Sequence, residues 1–376
     1  MEEKKKRSFL DKILNIVEKA GNALPHPATL FGLFALATLI LSAVAAWVDW
    51  TAVHPATGEI VEPINLLSKE GIHRVILEVV DNFTAFAPLG IVLVAMLGIG
   101  IAEQSGLISA LIRSLILSSP KKILTFVVVF TGIISNVASD IGYVLLIPLS
   151  GVIFHAVGRH PIAGMAAAFA GVSGGFSANL LIGTIDPLLA GLSQEAARIV
   201  DPEYTVNPTA NYYFMVISVF FIATAGTFIT EKLVEPRLGK YEGNAKAEKL
   251  EPLSRLEKKG LLWSTITFAV ITVIVLIGLI PENGWLRPES GRIIDSPLIE
   301  GVLFWLLVYA GLAGLTYGFI TGAFKNDADV MNGMADSMKT LATYIVLVFF
   351  AAQFVEYFKW SNLGLLIAIK GAGALS

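Results

Sequence analysis

The clearest structural signal in the chain is residues 121–159, KKILTFVVVFTGIISNVASDIGYVLLIPLSGVIFHAVGR. Two apolar arms, 123–139 and 141–158, meet at the polar sequence SNVASD of residues 135–140. The lysines and the arginine of the stretch lie only at its two ends. Because such residues concentrate on the cytoplasmic side of a membrane, both ends are expected there. The stretch therefore predicts a hairpin that enters a bilayer and returns to the same side.

The rest of the chain has the composition of a membrane protein. Of its 376 residues, 55% are apolar and 15% are charged, whereas a soluble domain carries roughly 25% charged residues. A spanning helix needs about 20 predominantly apolar residues, and this composition excludes soluble enzymes, nucleic-acid-binding proteins and β-barrels. Spans are predicted at 28–48, 84–102, 161–185, 211–230, 261–280 and 301–324, with a shorter candidate at 340–355 and the beginning of another at 360–369.

Charge placement predicts the orientation and the boundaries of the chain. Residues 232–259 carry eight Lys and Arg, and the first twelve residues carry five, whereas the loop 49–83 carries two beside six carboxylates. The N-terminus and the 232–259 loop are therefore expected in the cytoplasm. The predicted parts are a cytoplasmic amphipathic N-terminal segment (1–27), a first transmembrane unit (28–232) with hairpin 123–158 and broken helix 161–187, a cytoplasmic linker (233–259), and a second transmembrane unit (260–376).

Two carboxylates interrupt uncharged tracts. Asp140 lies at the hairpin tip, and Asp186 directly follows the tract 161–185. A carboxylate within a bilayer is costly, so such groups usually face a cavity and serve ions or substrates. The alternative is an aspartate at a helix end beside water, and for Asp186 it is supported by Pro187, where an extracellular loop is expected to begin.

Glycine and small polar residues surround both carboxylates. The sequence GVSGGFSANLLIGTIDP of residues 171–187 has a glycine density that breaks a membrane helix, and broken backbone is tolerated at depth only where it is buried or lines a cavity. Freed carbonyls can coordinate a cation, and freed N–H groups can bind an anion. Small residues also serve plain helix packing, which is our interpretation of Gly32, Gly98, Gly100, Gly311 and Gly314. The candidate binding residues are Ser135, Asn136, Ser139, Asp140, Ser173, Gly174, Ser177, Asn179, Thr184, Asp186 and Pro187.

Catalytic and metal chemistry find little support in the sequence. The chain has no cysteine, which removes disulfides, thiolate nucleophiles and iron–sulfur clusters. His155 and His160 are five residues apart and do not share a helix face as a metal pair needs. The motif GVSG resembles that of rhomboid intramembrane proteases, but Ser173 would need a histidine base and no histidine follows His160. We expect neither an enzyme nor a metal centre, and no cofactor other than a coupling ion.

Residues 135–191, SNVASDIGYVLLIPLSGVIFHAVGRHPIAGMAAAFAGVSGGFSANLLIGTIDPLLAG, resemble the AbgT family of p-aminobenzoyl-glutamate transporters. The resemblance continues through 207–221, 229–239 and 346–372, so it covers essentially the whole chain. It implies an all-α polytopic transporter that forms a homodimer in the bacterial cytoplasmic (inner) membrane. Two inverted repeats, each with a re-entrant hairpin and a broken helix, would form its site. The positions that match the first hairpin and the first broken helix are Ser135, Asn136, Ser139, Asp140 and residues 171–187.

The resemblance implies a secondary active transporter that moves p-aminobenzoyl-glutamate, or a related aromatic amide, by cation-coupled alternating access. Coupling to Na⁺ or to H⁺ stays open, since hard oxygen ligands suit Na⁺ and a buried carboxylate can take up a proton. One alternative is a proton-coupled exporter of sulfonamide-like antimetabolites. The other is a truncated, non-transporting membrane protein, because family members continue into a second hairpin and broken helix for which we find no motif after residue 260. We therefore expect an inverted-repeat architecture whose second repeat is incomplete.

Overall fold

A computed structural model of the chain describes residues 25–54, 58–138, 142–183, 185–198, 201, 203–241, 243 and 252–375. The amphipathic segment predicted for 1–27 therefore lies almost wholly outside the described residues. The chain divides into two compact units. The first comprises residues up to Leu89 together with 197–202 and 342–376, and the second comprises 90–196 and 203–341.

The secondary structure is almost entirely helical. The main helices are α1 (Pro27–Trp47), α2 (Lys69–Leu77), α3 (Val79–Thr84), α4 (Ala87–Gln104), α5 (Leu107–Leu117), α6 (Leu124–Ile134), α7 (Ile147–Ala156), α8 (Pro161–Gly174), α9 (Ile185–Arg198), α10 (Tyr212–Ile229), α11 (Arg255–Leu279), α12 (Val302–Thr321), α13 (Asp327–Thr340), α14 (Ala342–Trp360) and α15 (Leu363–Leu375). Shorter elements are 3₁₀ turns at Lys121–Ile123, Ser135–Ala138 and Ile293–Asp295, π-helical turns at Gly142–Leu146 and Thr230–Val234, single α-turns at Glu235–Leu238 and Pro297–Glu300, and the antiparallel strands β1 (Ala52–Val53) and β2 (Ile60–Val61).

Six described helices, α1, α4, α10, α11, α12 and α14, are long and apolar enough to cross a membrane. They match the predicted tracts to within a few residues, except that α11 begins six residues before its tract, at Arg255, and α14 runs on from the shorter candidate 340–355 to Trp360. The polytopic helical fold is thus confirmed. The tract 161–185 differs, because α8 ends at Gly174 and the next helix begins only at Ile185.

Helix α5 is an element that the sequence reasoning missed. It is only eleven residues long and amphipathic, with Leu107, Ala110, Ile112 and Ile116 buried. Its axis and that of the following helical stretch, Lys121–Val137, meet at 109°. A search for long uncharged tracts does not find such a helix, because it is too short to span a bilayer.

In the first unit, α1 packs along α14 and buried polar side chains join the helices. The hydroxyl of Ser42 accepts a hydrogen bond from the backbone N–H of Leu66 at 3.0 Å. The amide of Asn82 on α3 donates to Oε1 of Gln353 on α14 at 2.9 Å, and Nε2 of Gln353 donates to the carbonyl of Val79 at 2.9 Å. This buried amide pair fixes α3 against α14.

In the second unit, α6 and α7 both pack on α8 and run in opposite directions along it. Arg159, just beyond the end of α7, donates to the hydroxyl of Thr125 at the start of α6 at 2.8 Å. At the other end, a Cβ added to Gly142 would meet the side chains of Ser135 and Val172. The start of one arm thus lies beside the end of the other, which makes residues 124–156 a hairpin. The tip begins at Ser135, and its outermost residues, 139–141, lie outside the described residues. The re-entrant path of the hairpin through a bilayer stays a prediction.

Small residues let the hairpin and α8 approach closely. A Cβ added to Gly171 would collide with the backbone carbonyl of Val129, and one added to Gly132 would lie 3.0 Å from the carbonyl oxygen of Ala168. Close packing of this kind supplies the attraction between membrane helices, where lipid is as apolar as the protein. Glycines also let α4 and α12 pack closely. A Cβ at Gly98 would lie 2.5 Å from the Cα of Leu307, and a Cβ at Gly314 would lie 2.6 Å from the Cα of Ala102. Gly32 and Gly100 are also closely packed, against Phe350 and Ser337, whereas a Cβ at Gly311 would make only ordinary contacts. Four of the five glycines interpreted as packing residues thus lie in close contacts.

Candidate functional site

The candidate site lies where the hairpin tip meets the end of α8. Asn136 is 6% exposed, and its amide nitrogen donates to the carbonyl of Ile133 at 3.0 Å and to that of Val172 at 3.1 Å. A longer contact of 3.5 Å reaches the carbonyl of Gly175. Since Val172 and Gly175 stand at the end of α8, one buried side chain ties the tip to the point where that helix stops.

Helix α8 stops because its sequence changes from packing residues to glycine and polar residues. Gly174 and Gly175 end it, and Ser177 adopts a left-handed backbone with φ of 68°, which side chains other than glycine rarely take. Asn179 then accepts a hydrogen bond from the N–H of Leu180 at 2.9 Å, and the Tyr212 hydroxyl donates to the Leu180 carbonyl at 3.0 Å. The interrupted backbone is thus held in place by side chains that supply the missing donors and acceptors.

Asp186 stands in the first turn of α9 and closes the interrupted segment. Its Oδ2 accepts a hydrogen bond from the backbone N–H of Gly183 at 2.8 Å, and a negative charge is favoured at a helix N-terminus. A Cβ at Gly183 would lie 3.9 Å from the Cα of Val137, so the segment at Gly183 that binds the Asp186 carboxylate borders the hairpin. The structure therefore shows Asp186 at a helix end, as the alternative interpretation expected, and also beside the candidate site.

The hydroxyl of Ser173 has a partner that sequence reasoning missed. It lies 3.0 Å from the hydroxyl of Tyr143, in the π-helical turn that begins the second hairpin arm. A nucleophilic serine needs a base such as imidazole, and this contact is instead with a phenol. Tyr143 and Tyr212 gave no sequence signal beyond being tyrosines in apolar segments, and only the fold shows which groups they contact.

The structure brings together only part of the predicted set. Ser135, Asn136 and Ser173 lie at the junction of hairpin and α8, and Asp186 borders it through Gly183. Gly174 is exposed, and a Cβ there would meet no atom within 4 Å. Ser177 and Asn179 shape the interrupted segment. Ser139, Asp140, Thr184 and the side chain of Pro187 lie outside what the structure describes.

Beneath the junction, at the base of the hairpin, Arg159 forms a dense ionic cluster. Its guanidinium donates two hydrogen bonds to the carboxylate of Glu235, at 2.9 and 2.6 Å. The Thr125 hydroxyl, which accepts from Arg159, donates to Glu231 at 2.7 Å. The guanidinium also lies 4.3 Å from the ring centre of Phe154. This cluster joins both arms of the hairpin to the two helical turns that follow α10.

A cavity of about 580 Å³ borders the junction. Its walls come from α4, α5, α11 and α12, and from three residues of the junction: Val137, Leu181 and Ile182. Across the part of the chain that the structure covers, no three His, Asp or Glu side chains come together as a metal site would need. The site therefore combines an apolar cavity with buried amide and hydroxyl groups and the partly buried carboxylate of Asp186.

Long apolar helices, together with a hairpin and an interrupted helix whose junction carries polar groups, are features of membrane transporters. The chain belongs to the AbgT putative transporter family, whose family model matches residues 12–376. The resemblance noted in the sequence is thus confirmed, and the protein is a multi-pass membrane transporter of a family that comprises transporters and not enzymes.

Three relatives are similar over most of this chain. The p-aminobenzoyl-glutamate transport protein of Escherichia coli (strain K12) is 39% identical over 359 residues, which are 95% of this chain and 70% of the relative. The crystal structure of the Alcanivorax borkumensis YdaH transporter is 45% identical, with a TM-score of 0.88 over 93% of this chain and 74% of that one. The structure of Neisseria gonorrhoeae MtrF, described as illuminating a class of antimetabolite efflux pumps, is 48% identical, with a TM-score of 0.90 over 97% and 75%.

Proposed function

We propose that this protein transports p-aminobenzoyl-glutamate, or a related aromatic amide, across the bacterial cytoplasmic membrane by cation-coupled alternating access. The observation that carries the proposal is the bond from Asn136 to the Val172 carbonyl, which joins the hairpin tip to the end of α8. The name of the E. coli relative, at 39% identity, supports the choice of solute. We further propose that the protein acts as a homodimer with its N-terminus in the cytoplasm.

The junction supplies the groups that a charged solute and a coupling ion require. Asp186 would provide negative charge for a cation, and Asp140, in the hairpin tip, would provide a second carboxylate. Carbonyl, amide and carboxylate oxygens are hard ligands suited to Na⁺, and a carboxylate held away from water can instead carry a proton. The buried amide of Asn136 would keep the tip and the interrupted segment in register while the solute binds.

The charge distribution supports the proposed orientation. Lys121 and Lys122 precede the hairpin, Arg159 follows it, and the Arg159 cluster ties this end to Glu235 at the start of the basic loop. The Lys- and Arg-rich ends would therefore lie together on the cytoplasmic face. With that face inside, the hairpin tip points into the bilayer from the cytoplasm.

Export is the second candidate function, and the Neisseria relative favours it at 48% identity. In that case an inward proton gradient would drive a sulfonamide-like antimetabolite out of the cell. Both functions use the same junction, but they differ in the direction of net movement. Exchange of proton for solute would place the protonation change on Asp140 or Asp186.

Uptake into proteoliposomes tests the proposal and separates its forms. Labelled p-aminobenzoyl-glutamate is offered to vesicles with an inward Na⁺ gradient, with an inward or an outward proton gradient, or with no gradient. Uptake with an inward Na⁺ or proton gradient supports cation-coupled import, and uptake only with acidic vesicle lumens supports proton exchange. Labelled sulfonamide in place of the first solute tests the export specificity. Equal signals in all vesicles, including protein-free ones, would contradict transport and favour the non-transporting alternative.

A further inference from the structure

The cavity beside the junction has a chemistry that differs from that of the junction itself. Its lining includes three aromatic side chains: Phe268 from α11, and Trp305 and Tyr309 from α12. The rings of Phe268 and Tyr309 are 4.6 Å apart between centres and tilted by 52°, and those of Trp305 and Tyr309 are 6.4 Å apart. We propose that this cavity binds the aromatic ring of the transported solute. The inference rests on the proposed function, whose site it extends.

The polar groups along the cavity wall are already paired, so the cavity suits an apolar group. The Ser264 hydroxyl donates to the carbonyl of Ala313 at 2.9 Å, and the Thr265 hydroxyl donates to that of Leu261 at 2.8 Å. The Tyr309 hydroxyl donates to Thr272 at 3.2 Å. A carboxylate or ammonium group placed there would lose its hydration without gaining partners, whereas an aromatic ring would gain contact with three others.

The position of the cavity also suits a solute with one aromatic and one polar end. Val137 directly follows Asn136, and Leu181 and Ile182 directly precede Gly183, whose N–H binds Asp186. These three residues therefore form the part of the cavity wall that lies next to the polar junction. A volume of about 580 Å³ lies within the usual range for small-molecule sites. A benzoyl ring in the cavity leaves its amide-linked polar end at the junction.

Equilibrium binding in lipid nanodiscs tests the inference with three probes. These are p-aminobenzoyl-glutamate, 4-aminobenzamide (the ring without the glutamate) and free glutamate. Phe268→Leu removes one ring at similar volume, Tyr309→Ala removes a second, and Tyr309→Phe keeps the second ring. Phe304→Ala is the matched control, because Phe304 neighbours Trp305 but is 56% exposed and does not line the cavity. Gel filtration establishes that each variant is folded.

The expected result is that Phe268→Leu and Tyr309→Ala each bind both ring-bearing probes about 3- to 10-fold more weakly, as the loss of one aromatic pair predicts. Tyr309→Phe and Phe304→Ala should bind as the wild type does. Wild-type affinity in Phe268→Leu and Tyr309→Ala, or an equal loss in Phe304→Ala, would overturn the inference while leaving transport of the solute intact.

Two further outcomes separate this inference from the proposed function. Binding of 4-aminobenzamide that depends on Phe268, without binding of p-aminobenzoyl-glutamate, would keep the ring site and overturn the proposed solute. Failure of the wild type to bind either ring-bearing probe would overturn both. A last test uses a variant in which Trp305 is the only tryptophan left and lipids whose acyl chains carry bromine, which quenches tryptophan fluorescence. If the quenching of Trp305 is the same with and without saturating probe, an acyl chain fills the cavity and the inference is wrong.

Discussion

Replacement of Arg159 by glutamine should loosen the base of the hairpin. The arginine contacts both arms of the hairpin, through Thr125 and Phe154, and the turn Glu235–Leu238 beyond α10, through Glu235. Glutamine removes the charge and two of the three hydrogen bonds of the guanidinium. The carboxylate of Glu235, which is 25% exposed, is then left without its main partner.

The size of the effect follows from this geometry. A hydrogen bond to a charged group contributes about 1.5–3 kcal/mol, and removal of one partner from a fully buried ion pair costs about 3–5 kcal/mol. The Arg159 side chain is 21% exposed, so water compensates part of the loss. We expect the free energy of unfolding to fall by about 2–4 kcal/mol.

The assay is reversible unfolding in mixed micelles with an increasing fraction of SDS, followed by tryptophan fluorescence. Glu235→Gln and the double variant complete a thermodynamic cycle, in which a coupling energy of about 1–3 kcal/mol is expected for residues in direct contact. The comparison variant is Arg113→Gln, which breaks the 2.8 Å ion pair of Arg113 with Glu257 at similar exposure. It should cost less than Arg159→Gln, because one charge-assisted bond joins Arg113 to Glu257 whereas two join Arg159 to Glu235.

Two results would refute this reasoning. One is an unfolding curve for Arg159→Gln that coincides with that of the wild type. The other is strict additivity of Arg159→Gln and Glu235→Gln, which would mean that the bidentate pair contributes nothing of its own.

Three further predictions concern the junction. Gly171→Ala should lower the free energy of unfolding by about 1–3 kcal/mol, because the new methyl group meets the Val129 backbone. Gly174→Ala, which has open space around its Cβ, should leave the free energy of unfolding unchanged. Equal unfolding curves for the two variants in the same micelle assay would contradict the packing argument. Ser177→Gly should stabilise the fold by about 0.5–1 kcal/mol, since glycine takes the left-handed backbone without strain, and a loss of stability would show that the serine side chain matters more than its backbone. Asp186→Asn keeps an oxygen that accepts the hydrogen bond from the Gly183 N–H but loses the negative charge. Gradient-driven uptake should therefore fall at least tenfold, while expression and gel-filtration behaviour stay unchanged. Uptake at the wild-type rate would show that this carboxylate has no part in the mechanism.

The spanning helices could be predicted from the sequence because length and lack of charge are sufficient signals in a membrane. Helix α1 was expected at 28–48 and runs from Pro27 to Trp47, and α12 was expected at 301–324 and runs from Val302 to Thr321. Helix α5 could not be predicted this way. Its eleven residues include Arg113, whose partner Glu257 is far away in sequence.

The candidate site was predictable in composition but not in contacts. Glycines next to serine, asparagine and aspartate indicated an interrupted helix, and α8 does end at Gly174. The sequence does not reveal that Asn136 reaches Val172 or that Tyr143 pairs with Ser173, because these bonds depend on how the hairpin lies against α8. The aromatic cavity was missed for the same reason, since its walls come from helices widely separated along the chain.

The central claim is that the hairpin tip and the interrupted helix act together as the transport site. The most direct measurement compares gradient-driven uptake of labelled p-aminobenzoyl-glutamate by Asn136→Ala and Asn82→Ala in proteoliposomes. Both asparagines are buried, 6% and 7% exposed, and both make an interhelical hydrogen bond, so each variant loses about 1–3 kcal/mol of stability. The account predicts that uptake falls at least tenfold in Asn136→Ala and stays within twofold of wild type in Asn82→Ala. Equal uptake by the two variants would contradict it.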